Sequence, residues 1–89
     1  MKTTFRTSFL HDLKKVKSAN MQSRIREAIQ EVEDAAALTD ISHLKKLTGA
    51  KNCYRIRIGD WRLGVVIQSD TVEFVRCLDR KDIYKFFPD

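Results

Sequence analysis

Alternating apolar and polar positions in the second half of the chain predict three consecutive antiparallel strands. Tyr54–Ile58 and Trp61–Ile67 alternate with a period of two, and the Gly59-Asp60 dipeptide between them suits a two-residue hairpin loop. Ser69-Asp70 is a second turn signal, and Thr71–Leu78 has the composition of a third strand. The pattern therefore predicts a three-stranded meander.

The first half of the chain predicts a short strand, Lys2–Arg6, followed by two helices. Thr7 or Ser8 is expected to cap a short first helix, and Asn20 is expected to cap a longer second helix. The second helix has one apolar stripe at helical spacing, formed by Met21, Ile25, Ala28, Ile29 and Val32. Two such helices predict a helical hairpin that packs on one face of the sheet.

A connector and a last helix complete the predicted order. Leu38–Asn52 is expected to contain a helical turn that ends at Gly49. Asp79 is expected to cap a short helix, Arg80–Phe87, which stops before Pro88. The order β-α-α-β-β-β-α is typical of an α+β fold with a mainly antiparallel twisted sheet, a helical hairpin on one face and a short C-terminal helix.

Composition narrows the class of protein. The chain has 89 residues, 43% hydrophobic and 33% charged, so residues 1–89 are expected to form a single domain around one core. No window approaches the roughly 18 to 20 apolar residues of a membrane span, and we expect a cytoplasmic protein. Cys53 and Cys77 lack the spacing of a metal site, so we interpret them as small core residues. The net charge of +5 favours RNA or an acidic protein as a partner.

Arginines share one face of the predicted hairpin. The two-residue loop pairs Arg57 directly with Arg62, and Arg55 with Gly64. Like charges opposite each other destabilise a sheet by up to roughly 1 kcal/mol, which indicates a face that binds an anion such as phosphate. Gly64 is expected to leave a floor without side chains on which an RNA base or backbone can rest.

Other polar groups carry weaker signals. His11 and His43 lie in the first helix and in the connector, with no evident convergence on the hairpin, so we interpret both as surface residues. The run Lys14, Lys15 and Lys17 is either a solvated helix face or an RNA contact. By itself, a basic strand face is more often a solvated surface than a catalytic site.

Several segments resemble the RelE/ParE superfamily of bacterial and archaeal toxins, and specifically its RelE branch. They are Phe9–Lys15, Leu44–Gly49, Tyr54–Arg62 and Asp79–Pro88, and the last two are the specific ones. The resemblance implies the toxin of a type II toxin-antitoxin system. Such a toxin is a ribosome-dependent endoribonuclease that cleaves messenger RNA in the decoding site and is neutralised by a cognate acidic, RelB-like antitoxin.

The resemblance also implies roles for individual residues. Arg62 matches the family arginine that contacts the scissile phosphate, and Tyr84 matches the C-terminal tyrosine. Arg55 and Arg57 occupy positions that are often lysine, and Arg80 matches the C-terminal arginine. The residues expected to be catalytic are Arg57, Arg62, Arg80 and Tyr84, and those expected to bind RNA are Arg55, Lys14, Lys15 and Lys17.

The implied reaction is attack of a ribose 2′-hydroxyl on its own phosphate, with no metal and no other cofactor. Guanidinium groups hold phosphate oxygens and stabilise the charge that the phosphorane gains. They stay protonated at ordinary pH, so the arginines cannot accept the hydroxyl proton. Tyr84 is then either the base or a residue that stacks on a nucleobase.

Two other functions stay open at this point. A ParE-like toxin uses the same fold to bind and poison gyrase without cleavage, and a degenerate member of the superfamily would only bind RNA or an antitoxin. Arg55, Arg57 and Arg62 favour the nuclease, because a gyrase binder has no evident need for convergent phosphate-binding groups. We expect a monomeric free toxin that forms a heteromeric complex with its antitoxin and has no membrane partner.

Overall fold

A computed structural model of the protein describes residues 1–88. The strands are β1 (Lys2–Phe5), β2 (Leu44–Lys46), β3 (Cys53–Ile58), β4 (Trp61–Gln68) and β5 (Thr71–Asp79). The helices are α1 (Thr7–Lys14), α2 (Ala19–Asp34) and α3 (Ile83–Phe86), with a single 3₁₀ turn at Leu38–Asp40. The α+β class, the helical hairpin and the short last helix are confirmed.

The strands of the described residues form one five-stranded sheet in the order β1-β5-β4-β3-β2. The pairing of β1 with β5 is parallel, and the other pairings are antiparallel. The predicted hairpin register is confirmed, because Arg57 pairs with Arg62 and Arg55 with Gly64. Gly59 has φ +58° in the loop, which is the conformation expected of glycine in a tight hairpin.

Each face of the sheet has its own apolar cluster. The larger cluster lies under α1 and α2, and its fully buried side chains include Phe9, Ile25, Val32, Leu63, Val65, Val72 and Phe74. The smaller cluster lies on the opposite face under α3 and consists of Leu47, Cys53, Val75, Ile83 and Phe87. The second cluster holds α3 on the same face of the sheet as the hairpin arginines.

The helix starts differ from the predicted ones by one or two residues. Arg6 precedes α1 with extended backbone, and Thr7 already belongs to the helix. Ser18, not Asn20, caps α2, because its hydroxyl accepts a hydrogen bond from the backbone N–H of Met21 at 3.1 Å. Serine and asparagine are equally good caps, so the local sequence could not decide between them.

The connector contains a strand that was not predicted. Leu44 and Leu47 are three residues apart, which fits a helical turn, but Leu44–Lys46 is extended and pairs with Tyr54–Ile56. The extended backbone of Ile41 ends the 3₁₀ turn, and His43 two residues later has left-handed backbone with φ +60°. The predicted helical turn is therefore restricted to Leu38–Asp40, and β2 becomes the edge strand beside β3.

The predicted last helix, Arg80–Phe87, is too long. Asp79 ends β5, and its Oδ1 accepts a hydrogen bond from the backbone N–H of Lys81 at 2.9 Å, which makes a turn. The helix begins only at Ile83 and ends at Phe86. Asp79 is a turn former in this position, not a helix cap.

Strict alternation of side chains along β5 predicts the wrong face of the sheet for Arg76. Counting from Val72 and Phe74 places Arg76 on the larger core face, but the β4–β5 register shifts between Gly64 and Val65. This bulge turns Arg76 to the face of Gly64. From there it reaches buried Asp12 of α1 through a 2.7 Å ion pair.

Candidate nucleic-acid interface

A basic patch lies on the α3 face of the sheet, at the end nearest the β3–β4 loop. Arg55 and Arg57 belong to β3 and Arg62 belongs to β4. The cross-strand pairs of this face become less apolar along the strands, from Cys53 with Val66, through Arg55 with Gly64, to Arg57 with Arg62. We call Arg55, Arg57, Arg62, Arg80 and Tyr84 the arginine cluster.

The other members of the arginine cluster lie near enough to Arg62 to act on its charge. Burial lowers the pKa of the Arg62 guanidinium, and the positive charge of Arg55 lowers it further. Tyr84 acts in the opposite direction, whereas Arg57 and Arg80 add to the lowering. The structure therefore brings together the four residues predicted to be catalytic and Arg55, although they come from two strands and the C-terminal segment.

Hydrogen bonds to backbone carbonyls hold Arg62 and the segment after β5 at the β3–β4 loop. Arg62 Nη1 donates to the carbonyl oxygens of Gly59 and Trp61 at 2.7 and 3.0 Å, so the side chain folds back over the loop. The backbone N–H of Arg80 donates to the Asp60 carbonyl at 2.8 Å, which ties the segment after β5 to the same loop. The Arg80 guanidinium is 3.9 Å from the Asp60 carboxylate and largely exposed, so this ion pair contributes little to stability.

Tyr84 of α3 is exposed, whereas Phe87, directly after the helix, is buried. The Tyr84 ring is 60% exposed, so it is available to a ligand. Phe87 is only 3% exposed and anchors the helix in the smaller core with Ile83. Phe86 is 49% exposed, and the centroid of its ring lies 5.4 Å from the Arg76 guanidinium carbon.

The prediction that Gly64 leaves an open floor without side chains is wrong. A Cβ atom at this position would lie 2.6 and 2.7 Å from two ring carbons of Phe87, so the aromatic ring already covers the glycine. The absence of a side chain is needed for close packing of α3 on the sheet. Gly64 therefore positions Tyr84 indirectly, and it offers no surface to RNA.

His43 and Lys45 also lie beside the arginine cluster, which the sequence did not predict. Lys45 pairs with Arg55 across the β2–β3 ladder and so joins the same face of the sheet. His43 Nδ1 lies 3.3 Å from Arg57 Nη2, and the His43 carbonyl accepts a hydrogen bond from Arg55 Nη1 at 2.9 Å. His43 is exposed, as the surface interpretation expects, but the expectation that it does not converge on the hairpin is wrong. The pairing of Leu44–Lys46 with Tyr54–Ile56 places both residues here, and the connector sequence gives no local signal for that pairing.

The α1 lysines lie elsewhere. Lys14 lines an apolar groove of about 600 Å³ between α1 and α2, together with Leu10, Leu13 and Ile25. Lys15 and Lys17 are exposed residues at and after the end of α1. The charges that act on Arg62 come from the strands and the C-terminal segment and include none of these lysines among residues 1–88. Their RNA contact stays a prediction that the arginine cluster does not support.

Three further features concern metal ions, membranes and thiols. Residues 1–88 contain no group of three His, Cys, Asp or Glu side chains that could hold a metal ion. None of the helices in this part of the chain is long and apolar enough to cross a bilayer. Both cysteines are buried free thiols.

Comparisons with known proteins agree with the fold and the motifs. A family model described as "ParE toxin of type II toxin-antitoxin system, parDE" matches residues 4–84. Toxin RelE3 of Methanocaldococcus jannaschii is 40% identical over 89 residues, a match that covers 99% of this chain and 100% of that protein.

Solved structures extend the comparison to three dimensions. The toxin of the RelB-RelE antitoxin-toxin complex from Methanococcus jannaschii superimposes with a TM-score of 0.81 at 38% identity, covering 96% of this chain and 99% of that chain. A chain of the RelE-RelB complex from Pyrococcus horikoshii OT3 shares the fold with a TM-score of 0.72 at 17% identity, covering 89% and 93%. The chain therefore belongs to the RelE/ParE superfamily of type II toxin-antitoxin toxins, as its motifs predict.

Proposed function

We propose that the protein is a ribosome-dependent endoribonuclease that cleaves messenger RNA in the decoding site. The observation that carries this proposal is the arginine cluster itself. Four guanidinium groups and one exposed phenol lie together at the loop end of the β3–β4 strand pair. Cations grouped in this way stabilise a transition state that gains negative charge.

The proposed chemistry is internal attack at a phosphodiester. The ribose 2′-oxygen attacks the adjacent phosphorus, the bond to the 5′-oxygen breaks, and a 2′,3′-cyclic phosphate and a 5′-hydroxyl result. Arg57 and Arg62 are directly opposite each other, so a phosphate between them can contact both forks. Guanidinium groups take the charge-stabilising role, and the reaction is proposed to need no catalytic metal.

Tyr84 supplies the second chemical group of the arginine cluster. Its exposed ring can either exchange a proton with the reacting RNA or stack on a neighbouring nucleobase. Arg55 is proposed to bind a phosphate that flanks the cleaved one, and Arg80 is proposed to stabilise charge at the cleaved phosphate with Arg57 and Arg62. The shallow, open shape of this face leaves RNA positioning incomplete, and the ribosome is proposed to complete it.

The proposed partner is a cognate acidic antitoxin that resembles RelB. The toxin to which this chain is 38% identical was solved as a RelB-RelE antitoxin-toxin complex. The net charge of +5 and the arginine cluster, in which Arg57 and Arg80 are exposed, are complementary to an acidic amphipathic helix. Such a helix is proposed to cover Arg55, Arg57 and Arg62, or to displace α3, in a heteromeric complex, while the free toxin is proposed to be a cytoplasmic monomer.

Gyrase poisoning is the second candidate function. The family model that matches this chain carries the description of the ParE toxin. The fold alone does not distinguish RNA cleavage from gyrase poisoning. The arginine cluster favours cleavage, since two facing guanidinium groups can hold one phosphate between them.

Replacement of Arg62 by alanine tests the proposal. We expect Arg62→Ala to reduce single-turnover cleavage on ribosomes about a hundredfold or more, by analogy with loss of one oxyanion-hole donor. Thermal unfolding should change little, because the substitution also removes the like-charge pair with Arg57. Arg26→Ala is the matched control, since it removes the same charge from an exposed position on α2. A folded Arg62→Ala protein that cleaves at the parental rate would refute the proposed site.

The products and Tyr84 provide a second test. Cleaved RNA should carry a 2′,3′-cyclic or 3′-phosphate and a 5′-hydroxyl, and 5′-phosphate ends would rule out the proposed chemistry. Tyr84→Phe keeps the ring and removes the hydroxyl. It should lower the rate on the order of a hundredfold if the hydroxyl transfers a proton, and leave the rate nearly unchanged if the ring only stacks. Tyr84→Ala should be damaging in both cases.

A further inference from the structure

His43 lies at the start of β2 in direct contact with both β3 arginines. Its carbonyl oxygen accepts hydrogen bonds from Arg55 Nη1 at 2.9 Å and from the backbone N–H of Arg57 at 3.3 Å. Its ring Nδ1 is 3.3 Å from Arg57 Nη2. The backbone of His43 is left-handed, with φ +60°, a conformation that non-glycine residues adopt at a cost. This unusual turn aims both the carbonyl and the ring at the arginines.

The contact with Arg57 favours one tautomer of the His43 ring. A guanidinium group has hydrogen-bond donors and no acceptor, so a hydrogen bond between these two atoms requires Nδ1 to accept. In that tautomer the imidazole carries its proton on Nε2. The Nδ1 atom that faces the phosphate-binding groups then has a lone pair that can take a proton.

The ring is accessible to a ligand. His43 is exposed and lines a shallow pocket of about 190 Å³ whose other walls are Leu44, Lys45, Arg55 and Arg57. A second shallow pocket joins His43 and Arg57 to the exposed side of α2. The charged groups that surround His43 are Arg55 and Arg57 on β3, Lys45 on β2, and Arg24, Glu27 and Glu31 on α2.

We propose that His43 is the general base of the cleavage reaction, an inference that rests on the proposed function. When Arg57 turns onto the RNA phosphate, the Nδ1 lone pair becomes available to the adjacent ribose. His43 takes the 2′-hydroxyl proton as the 2′-oxygen bonds to phosphorus. The bond from phosphorus to the 5′-oxygen breaks, the leaving oxygen takes a proton from water, and the imidazolium returns its proton to solvent. No oxidant or reductant is required.

Histidine supplies a proton acceptor that works near neutral pH, which the arginine cluster lacks. Guanidinium groups stay protonated and a phenol holds its proton at neutral pH, so neither is an efficient acceptor there. Imidazole is the side chain that ordinarily changes charge between about pH 5 and 8, which suits general base catalysis near neutral pH. In this arrangement Tyr84 stacks on a base, and the arginines hold the phosphate.

His43→Asn separates proton transfer from hydrogen bonding. The asparagine Oδ1 can replace Nδ1 as the acceptor for Arg57, and asparagine tolerates left-handed backbone, but it cannot take a proton. We expect single-turnover cleavage on ribosomes to fall about a hundredfold or more in His43→Asn. The acid limb of the parental pH–rate profile should be absent from the residual activity. His11→Asn is the matched control, because His11 is an exposed histidine on α1.

The outcomes separate the failure of this inference from the failure of the proposed function. Parental protein that does not cleave on ribosomes overturns both. Parental cleavage that His43→Asn retains, with its acid limb intact, overturns the role of His43 alone. Nitrogen-15 NMR of the parental protein gives a readout that does not depend on the variant folding. The Nε2–H tautomer is expected for His43, and the Nδ1–H tautomer would contradict the proposal.

Discussion

Gly64→Ala tests how the smaller core positions the arginine cluster. The new methyl group would lie 2.6, 2.7 and 3.0 Å from three carbons of the Phe87 ring. Real Cβ atoms do not approach this closely, so either the ring or the strand must move. Because the contact is with a rigid ring that is 3% exposed, displacement of α3 is the expected response. Tyr84, three residues earlier in the same segment, moves with it.

The magnitude follows from two opposing effects. Overpacking a core costs about 1–3 kcal/mol, and the contact of three ring atoms places this site in the upper half of that range. Glycine to alanine replacement returns about 0.4–1 kcal/mol, because the unfolded chain loses freedom. We therefore expect a net loss of about 2 kcal/mol in the free energy of unfolding, which urea titration measures as a lower midpoint.

A double-mutant cycle identifies the source of that loss. Phe87→Ala removes the ring that Gly64→Ala would strike, so Gly64→Ala should cost less than about 0.5 kcal/mol in that background. Gly64→Ala should also lower the cleavage rate. If Gly64→Ala unfolds at the parental urea concentration and only RNA cleavage is lost, then Gly64 is an RNA floor and the packing argument is wrong.

Further predictions concern the buried groups that hold the sheet together. Asp12 is 5% exposed and accepts hydrogen bonds from Arg76 and from the Cys77 N–H, so Asp12→Ala should cost about 3 kcal/mol in urea unfolding, and Asp12→Asn less. A loss under about 1 kcal/mol for Asp12→Ala would contradict this. Burial raises the pKa of the Cys77 thiol to about 12 from 9.0, so the unfolded state ionises first as pH rises. Stability should therefore decline between about pH 9 and 12 by up to about 1.4 kcal/mol per pH unit, and less steeply in Cys77→Ala. Burial also raises the pKa of Cys53, and neither thiol should react with iodoacetamide at pH 8 before unfolding.

Local patterns determined the central hairpin. A period of two, a Gly-Asp loop and the resulting register are all short-range properties, and Arg57 faces Arg62 as those properties require. The same holds for α2, whose apolar stripe faces the larger core through Ile25 and Val32. The arginine face of the site was therefore predictable from the order of the residues alone.

Pairing between distant segments determined the remaining parts of the site. Leu44–Lys46 is too short to show a period, and it is a strand only because Tyr54–Ile56 offers an edge to pair with. That pairing moves His43 and Lys45 beside the arginines. No local pattern within the connector predicts that this pairing occurs.

The remaining differences have the same physical origin. The bulge opposite Gly64 reverses the face of Arg76, and the ring of Phe87 occupies the space that glycine leaves. Both depend on how β4, β5 and α3 pack together, which alternation within one strand cannot encode. The amino-acid sequence by itself determined which residues carry the positive charge. Only the tertiary structure decided that a histidine lies 3.3 Å from one of those charges, because that contact joins residues 14 positions apart.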